Sequence, residues 1–337
     1  ASTGSVDRVT VRMLPGQVVE DYAEVCDRLA QTFGAADCRV RTDPRHRDRV
    51  VLWLLIRDPL TEPVEPFDPA DPPDLKSLPV AKREDGLIYW ALLLGTHLLI
   101  VGATGGGKGS VIWSLIRALA HGIQSGLVQL WVIDPKGGME LAGGRRLFTR
   151  FCYGSPPDQP DAADSDSESD TAAYETAYAD LLEDAVAVMR ERQERLRGIT
   201  RLHTPTPEEP LIVVVIDELA SLTAYVTDRD AKKRIGAALS LLLSQGRAVG
   251  VTVVAALQDP RKEVLPARDL FPTRIALRLT DDMQVDMVLG DGARKRGARC
   301  DRIPETLPGV GYVALDGVAE PIRVRFTYLT DPDIYQL

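Results

Sequence analysis

The sequence predicts an α/β protein with a mostly parallel sheet covered on both faces, preceded by a small α/β unit. Three observations carry this expectation. Short apolar runs such as Leu98–Val101, Leu211–Ile216 and Val251–Ala255 alternate with stretches of helical periodicity, and strands without polar alternation are those buried on both faces. A glycine-rich loop stands between the first of these runs and the helix after it. Seven prolines between Pro59 and Pro79 divide the chain of 337 residues into two unequal parts.

The first part, 1–58, reads as strand Val9–Met13, helix Val18–Phe33 with Val19, Tyr22, Val25, Cys26 and Leu29 on one face, and strand Val50–Ile56. The proline-rich stretch 59–80 can form neither a helix nor a central strand, because proline lacks the backbone donor, and is expected to be a linker. The larger domain, 81–337, then reads as strand Leu98–Val101, helix Lys108–His121, strand Leu127–Ile133, helix Thr171–Leu196, strand Leu211–Ile216, helix Ala231–Gln245 and strands Val251–Ala255 and Arg274–Leu279. A hairpin of Gly311–Leu315 and Ile322–Tyr328, turning at Asp316–Gly317, closes it. Within this domain 155–171 carries six acidic residues between Asp158 and Asp170 and no basic one, which predicts a solvated, disordered insertion.

Composition narrows the function classes. Apolar residues at 45 % and charged residues at 26 % exclude a disordered chain, and 49 acidic against 40 basic residues, a net charge of -9, exclude a protein that coats nucleic acid with its whole surface. A local basic track remains open. Cys26, Cys38, Cys152 and Cys300 form no C-x-x-C pair, so neither a zinc knuckle nor a disulfide framework is expected, and a reducing cytoplasm is the expected setting. No basic start followed by an apolar run marks residues 1–20 as a signal peptide. Leu87–Gly107 has the ~20-residue length of a membrane-spanning helix and no formal charge, but Gly95-Thr96-His97 and the glycines from 102 onward break it into two strands and a loop.

Gly102-Ala103-Thr104-Gly105-Gly106-Gly107-Lys108 lies directly between a strand and a helix, the setting of a phosphate-binding loop. Glycines let successive N–H groups converge on phosphate, the helix N-terminus adds positive potential, and Lys108 supplies a mobile cation. The position after the lysine, ordinarily a Ser or Thr whose hydroxyl binds Mg²⁺, is Gly109. Either Ser110 moves into that role, or water replaces the ligand, or nucleotide binding has been lost. The strand Leu211–Ile216 ends in Asp217-Glu218, placing two carboxylates at a sheet edge, Asp217 for the metal's water shell and Glu218 for the attacking water. Gln258, just beyond another strand, is an uncharged group suited to sensing a γ-phosphate.

These segments, with Ile133-Asp134-Pro135-Lys136, Gly246-Arg247-Ala248-Val249-Gly250, Ala256-Leu257-Gln258 and Pro272-Thr273-Arg274-Ile275-Ala276, resemble in order and approximate spacing the FtsK/SpoIIIE DNA-pumping ATPases over roughly 78–313. Lys108-Gly109-Ser110 and Asp134 to Glu140 look most like the actinobacterial plasmid-transfer TraB branch. The resemblance implies a RecA-like P-loop ATPase of the additional-strand catalytic-glutamate (ASCE) class, using ATP and Mg²⁺ between the subunits of a hexameric ring around double-stranded DNA. It implies an arginine reaching across the subunit interface, for which Arg247 and Arg274 are the candidates. Arg294, Lys295, Arg296, Arg299 and Arg302 form the densest basic cluster, and the first four of these, with Arg261 and Lys262, are the candidates for the DNA backbone, since phosphate contacts give affinity without sequence preference. Aromatics at 6 % do not interleave with them, which disfavours a base-stacking binder of single strands. Relatives of this type carry membrane helices before the motor and a winged-helix domain after it. Neither is among these residues, so the expectation is a cytoplasmic motor portion: if the chain is a fragment, it is attached to a membrane through segments outside it, and if it is complete, it is a bare motor without its own sequence reader. Two rival readings are a secretion-system ATPase that exports protein and a nucleotide-binding assembly scaffold without turnover.

Overall fold

The computed structural model describes residues 4–43, 45–154, 168–261 and 267–337. The first unit consists of β1 (Val6–Arg12), α1 (Val19–Ala23), α2 (Cys26–Phe33), β2 (Asp37–Thr42) and β3 (Arg49–Leu55). Its strands form an antiparallel sheet in the order β1-β3-β2. The helix expected over 18–33 is two helices, and α2 stops at Gly34, which takes the left-handed conformation at φ 65°. The sequence reading lacked β2, whose charged residues Asp37, Arg39 and Arg41 hide a strand. Arg39 is nevertheless buried, because Glu84 at 2.7 Å and Asp37 at 3.2 Å neutralise it.

The proline-rich stretch lies against the larger domain, with Leu60 fully buried, Val64 bridged to Thr327, and the Phe67 carbonyl accepting from Arg117 at 3.0 Å. Its last residues already belong to a strand, β4 (Leu78–Arg83), where Pro79 sits at a register shift against β5 (Ile88–Ala91). Proline is tolerated there because the ladder is locally interrupted.

The larger domain continues through β6 (Leu98–Val101), α3 (Lys108–Ala118), α4 (Ala120–Gln124), β7 (Val128–Ile133), β8 (Phe148–Cys152), α5 (Glu168–Leu196), β9 (Leu211–Ile216), α6 (Ala220–Thr223), α7 (Arg229–Gln245), β10 (Val251–Leu257), β11 (Thr273–Ala276), α8 (Asp282–Leu289), β12 (Val310–Leu315), β13 (Ile322–Phe326) and α9 (Asp331–Gln336). One sheet of ten strands runs β5-β4-β13-β12-β11-β6-β10-β9-β7-β8. From β11 to β8 neighbouring strands are parallel, and β12, β13, β4 and β5 extend it antiparallel. In β9, Ile212, Val214 and Ile216 pack against α5 and α7, while Leu211, Val213 and Val215 pack on the face covered by α3. This two-sided burial is why the run has no polar alternation.

Leu87–Gly107 resolves into β5, β6 and a loop, and among the described residues no helix is long and apolar enough to cross a membrane. Most of the predicted insertion, 155–167, lies outside the described residues. Its end needs correction: α5 starts at Glu168, inside the stretch expected to be an insertion.

Candidate nucleotide site

The glycine loop leaves the C-terminal end of β6 and turns into α3, and backbone packing makes its glycines necessary. Gly107 has φ 94°, and a Cβ there would stand 2.2 Å from the Gly309 nitrogen. Gly102 presses on Leu277, whose Cβ would be 2.9 Å from a side chain at 102. The loop is pinned by Gly106 N–H donating to Ala103 O at 3.0 Å, Ala103 N–H to Arg278 O at 2.9 Å and Gly309 N–H to Gly106 O at 3.0 Å. Lys108 turns back into it, Nζ donating to Gly102 O at 2.8 Å and Ala103 O at 3.3 Å. Burial lowers the Lys108 pKa, with Glu218 and Asp217 opposing that shift.

Strand β10 lies between β6 and β9, so Asp217 and Glu218 emerge at the same sheet edge as the loop, one strand removed. Asp217 is 2 % and Glu218 6 % exposed, which brings both carboxylates out of bulk water. Burial raises the Glu218 pKa, and Lys136 works against it. Gln258 ties the edge together: its N–H donates to Glu218 Oε1 at 3.4 Å and its Oε1 accepts from Thr104 Oγ1 at 3.1 Å. The sequence reading placed Lys108, Thr104, Asp217, Glu218 and Gln258 in one site, and the fold brings them together.

Beside them stand residues to which that reading gave no role. Asp134, at the end of β7, is fully buried and accepts from the backbone N–H groups of Lys136 at 3.1 Å, Glu140 at 3.2 Å and Leu141 at 3.1 Å. The turn it builds carries Lys136 to Asp217 Oδ2 at 2.7 Å and Glu218 Oε2 at 3.7 Å. Arg278 Nη2 donates to Thr104 O at 2.8 Å. A sequence signal existed for the first of these, since Asp134-Pro135-Lys136 ends a strand at the same edge.

The divalent cation fits this donor set in part. An ammonium already stands against Asp217, so the position accepts positive charge, and the oxygens around it suit a hard cation. Among the described residues no group of three or more His, Cys, Asp or Glu could hold a metal ion, so most ligands would come from phosphate and water. Ser110 is the other candidate metal ligand. Its side chain packs against Gly309, ahead of β12, whereas Asp217 lies beyond the opposite neighbour of β6. The ~100° per residue of an α-helix separates it from the Gly109 direction. That direction is faced by Glu140, whose Oε2 would be 3.4 Å from a Cβ at 109.

The FtsK/SpoIIIE family model matches residues 73–302. The chain belongs to that family. The transfer protein TraSA of Streptomyces ambofaciens is 28 % identical over 97 % of this chain and 77 % of its own length. The DNA translocase FtsK of Staphylococcus aureus is 27 % identical over 71 % of this chain, which spans only 29 % of that relative. Among solved structures, the pCW3 conjugation coupling protein TcpA, in monomer form with ATPγS, has a TM-score of 0.60 at 20 % identity, covering 97 % of this chain and 86 % of TcpA. This likeness establishes the fold: a RecA-like α/β ATPase domain with a large, mostly parallel sheet, as in other FtsK/SpoIIIE members.

The remaining candidates fall elsewhere on this FtsK/SpoIIIE domain. Arg247 is exposed in the turn before β10, and Arg274 is the second residue of β11, both near the strand ends opposite the loop. Buried His97 marks that end, its Nδ1 accepting from Val253 N–H at 2.9 Å; burial, and then the Arg247 charge, push its pKa down to about 4. The Arg274 Nε is buried without a hydrogen-bond partner.

The basic cluster is largely engaged. Arg294 pairs with Asp301 at 2.8 Å, and Arg299 Nη1 holds both Asp27 and Asp37 at 3.0 Å, fastening the first unit to the larger domain. Arg302 to Asp27 at 3.3 Å, Arg41 to Glu320 at 3.0 Å and Arg323 to Asp58 at 2.7 Å extend the same seam. Lys295 and Arg296 remain exposed at the rim of a cleft of about 660 Å³, Arg296 donating to Ala319 O at 2.7 Å and Asp291 O at 2.9 Å. Arg261 pairs with Asp259, and Lys262 lies outside the described residues.

Proposed function

We propose that this chain is the motor portion of an ATP-driven translocase of double-stranded DNA, acting in the transfer of a plasmid or integrative element. The observation that carries the reading is the buried Asp217–Glu218 pair facing the glycine loop, with Gln258 hydrogen-bonded to both sides. FtsK/SpoIIIE membership and the likeness to a DNA translocase of Staphylococcus aureus support DNA as the substrate, and the likeness to a Streptomyces transfer protein supports a role in transfer.

In this mechanism the loop N–H groups and Lys108 take the β- and γ-phosphates, Lys108 exchanging the carbonyls of Gly102 and Ala103 for phosphate oxygens. Glu218 orients the attacking water and accepts its proton, and a raised pKa makes it a stronger base than an exposed glutamate. Asp217 would hold a bound Mg²⁺ through its water shell, and the cation would supply charge neutralisation at the phosphates. Gln258 couples Thr104 of the loop to the catalytic carboxylate, so a change at the phosphate reaches Glu218 through two hydrogen bonds.

The motor acts as a hexameric ring. Arg247 and Arg274 stand near the strand ends away from their own loop, which suits a role at a neighbouring subunit's nucleotide better than at their own. Within the basic cluster, Lys295 and Arg296 are exposed among the described residues and are the candidates to meet DNA phosphates. The deciding experiment compares ATPase activity with and without long duplex DNA. Stimulation is expected. Turnover indifferent to DNA overturns the reading in favour of protein export, and nucleotide binding without turnover in favour of an assembly scaffold.

A further inference from the structure

Two carboxylates as buried as Asp217 and Glu218 call for a counter-charge, because an unpaired buried charge is costly. The chain supplies that charge itself. Asp217 N–H donates to Ile133 O at 3.0 Å, so β7 delivers its following turn to the side of the carboxylates. Asp134 fixes that turn through three backbone N–H groups, and Gly137 and Gly138, at φ 70° and 78°, let it close. Lys136 is thereby positioned at 2.7 Å from Asp217 and 3.7 Å from Glu218 by a backbone built for the purpose, and a third of its side chain remains exposed.

We propose that Lys136 is a built-in counter-cation of the nucleotide site, which neutralises Asp217 and Glu218 while the site is empty and competes with the divalent metal for Asp217. Metal alone then gains little, because binding it means displacing an ammonium already in hydrogen-bond contact. A metal accompanied by nucleotide brings the phosphates as additional ligands and as a new partner for the released lysine. Its exposed flank gives Lys136 room to leave, and Glu140, which adds a favourable charge interaction to it, lies on the same turn. Lys136 is a positioning residue here, and the consequence is an order of events: the two carboxylates become available for chemistry only when metal and nucleotide arrive together.

The inference rests on the nucleotide-site reading above but needs neither hydrolysis nor DNA for its test. Mn²⁺, followed by electron paramagnetic resonance, probes the metal position directly, and a fluorescent ATP analogue reports the Mg²⁺ concentration that half-saturates nucleotide binding. In the parent protein without nucleotide, Mn²⁺ is expected to bind only at millimolar concentration or weaker. In Lys136→Met it should bind at least tenfold more tightly, and the Mg²⁺ needed for nucleotide binding should fall several-fold. Lys136→Arg should stay close to the parent. Mn²⁺ binding that is unchanged or weaker in Lys136→Met overturns the proposal. So does tight Mn²⁺ binding by the nucleotide-free parent, a measurement that stands even if the methionine variant does not fold. Failure of DNA to stimulate turnover, with this metal competition intact, would count against the translocase reading alone.

Discussion

Two charged regions of this molecule use the same side-chain chemistry for opposite ends. At the phosphate edge, Lys108, Lys136, Asp217 and Glu218 are few, close and mostly buried, and exclusion of water lowers the Lys108 pKa and raises that of Glu218. Along the seam that joins the first unit to the larger domain, Arg41, Arg299 and Arg302 meet Asp27, Asp37 and Glu320 in pairs open to solvent on one side. Screening acts on the second set far more than on the first, the Debye length being ~10 Å at 0.1 M salt. The seam holds largely buried pairs as well, Arg39 with Glu84 and Arg323 with Asp58, so it is placement beside the glycine loop, not burial alone, that separates a site from a fastening.

The sharpest way to break this contrast is at the loop backbone. Gly107→Ala adds a side chain at φ 94° against the Gly309 nitrogen, so nucleotide binding and ATP turnover should both disappear, and isothermal titration of ATPγS checks the first. Glu218→Gln comes next: ATP binding should be retained while single-turnover hydrolysis slows by roughly 10²–10⁴-fold, because the amide cannot take the proton. Since burial raises the Glu218 pKa and the base works deprotonated, the parent's turnover should fall with pH from above the ~4.3 of an ordinary glutamate. The variant should lack that acid limb.

At the seam the effects should be smaller and depend on salt. Neutralising Lys295 and Arg296 together should weaken duplex binding equally for unrelated sequences and reduce the slope of log affinity against log salt by about two units, with basal ATPase unchanged. An unchanged slope would move the DNA track elsewhere. Arg299→Ala should lower stability by about 1 kcal/mol, less in high salt, as read by denaturant unfolding at two ionic strengths. Smallest of all is Ser110→Ala: a side chain packed on Gly309 should leave the Mg²⁺ requirement of ATPase activity unaltered. A raised requirement would restore Ser110 as a metal ligand.

The phosphate edge was legible in the sequence because its residues are attached to local signals. Continuous apolar strands locate the sheet, and a residue that follows such a strand must appear at its C-terminal edge, which is how Lys108, Asp217 and Gln258 could be assigned together. Lys136 carried the same signal, but its charge gave no hint that it would pair with a residue on a neighbouring strand. At the seam no local signal exists. Arg299 reads as part of a free basic cluster because the carboxylates that engage it, Asp27 and Asp37, are far away in the chain.

By itself, then, the sequence determined the α/β class, the strand, glycine loop and helix in succession, and the carboxylates that emerge at the same sheet edge. These follow from apolar periodicity and from the backbone freedom of glycine, which are properties of neighbouring residues. Tertiary structure alone decided which cations are spent on internal partners, that Ser110 faces Gly309 while Glu140 faces Gly109, and that β10 separates the loop strand from the strand of Asp217. Each of those depends on which strands pair and in what order, and long-range pairing brings together charges whose separation along the chain conceals their attraction.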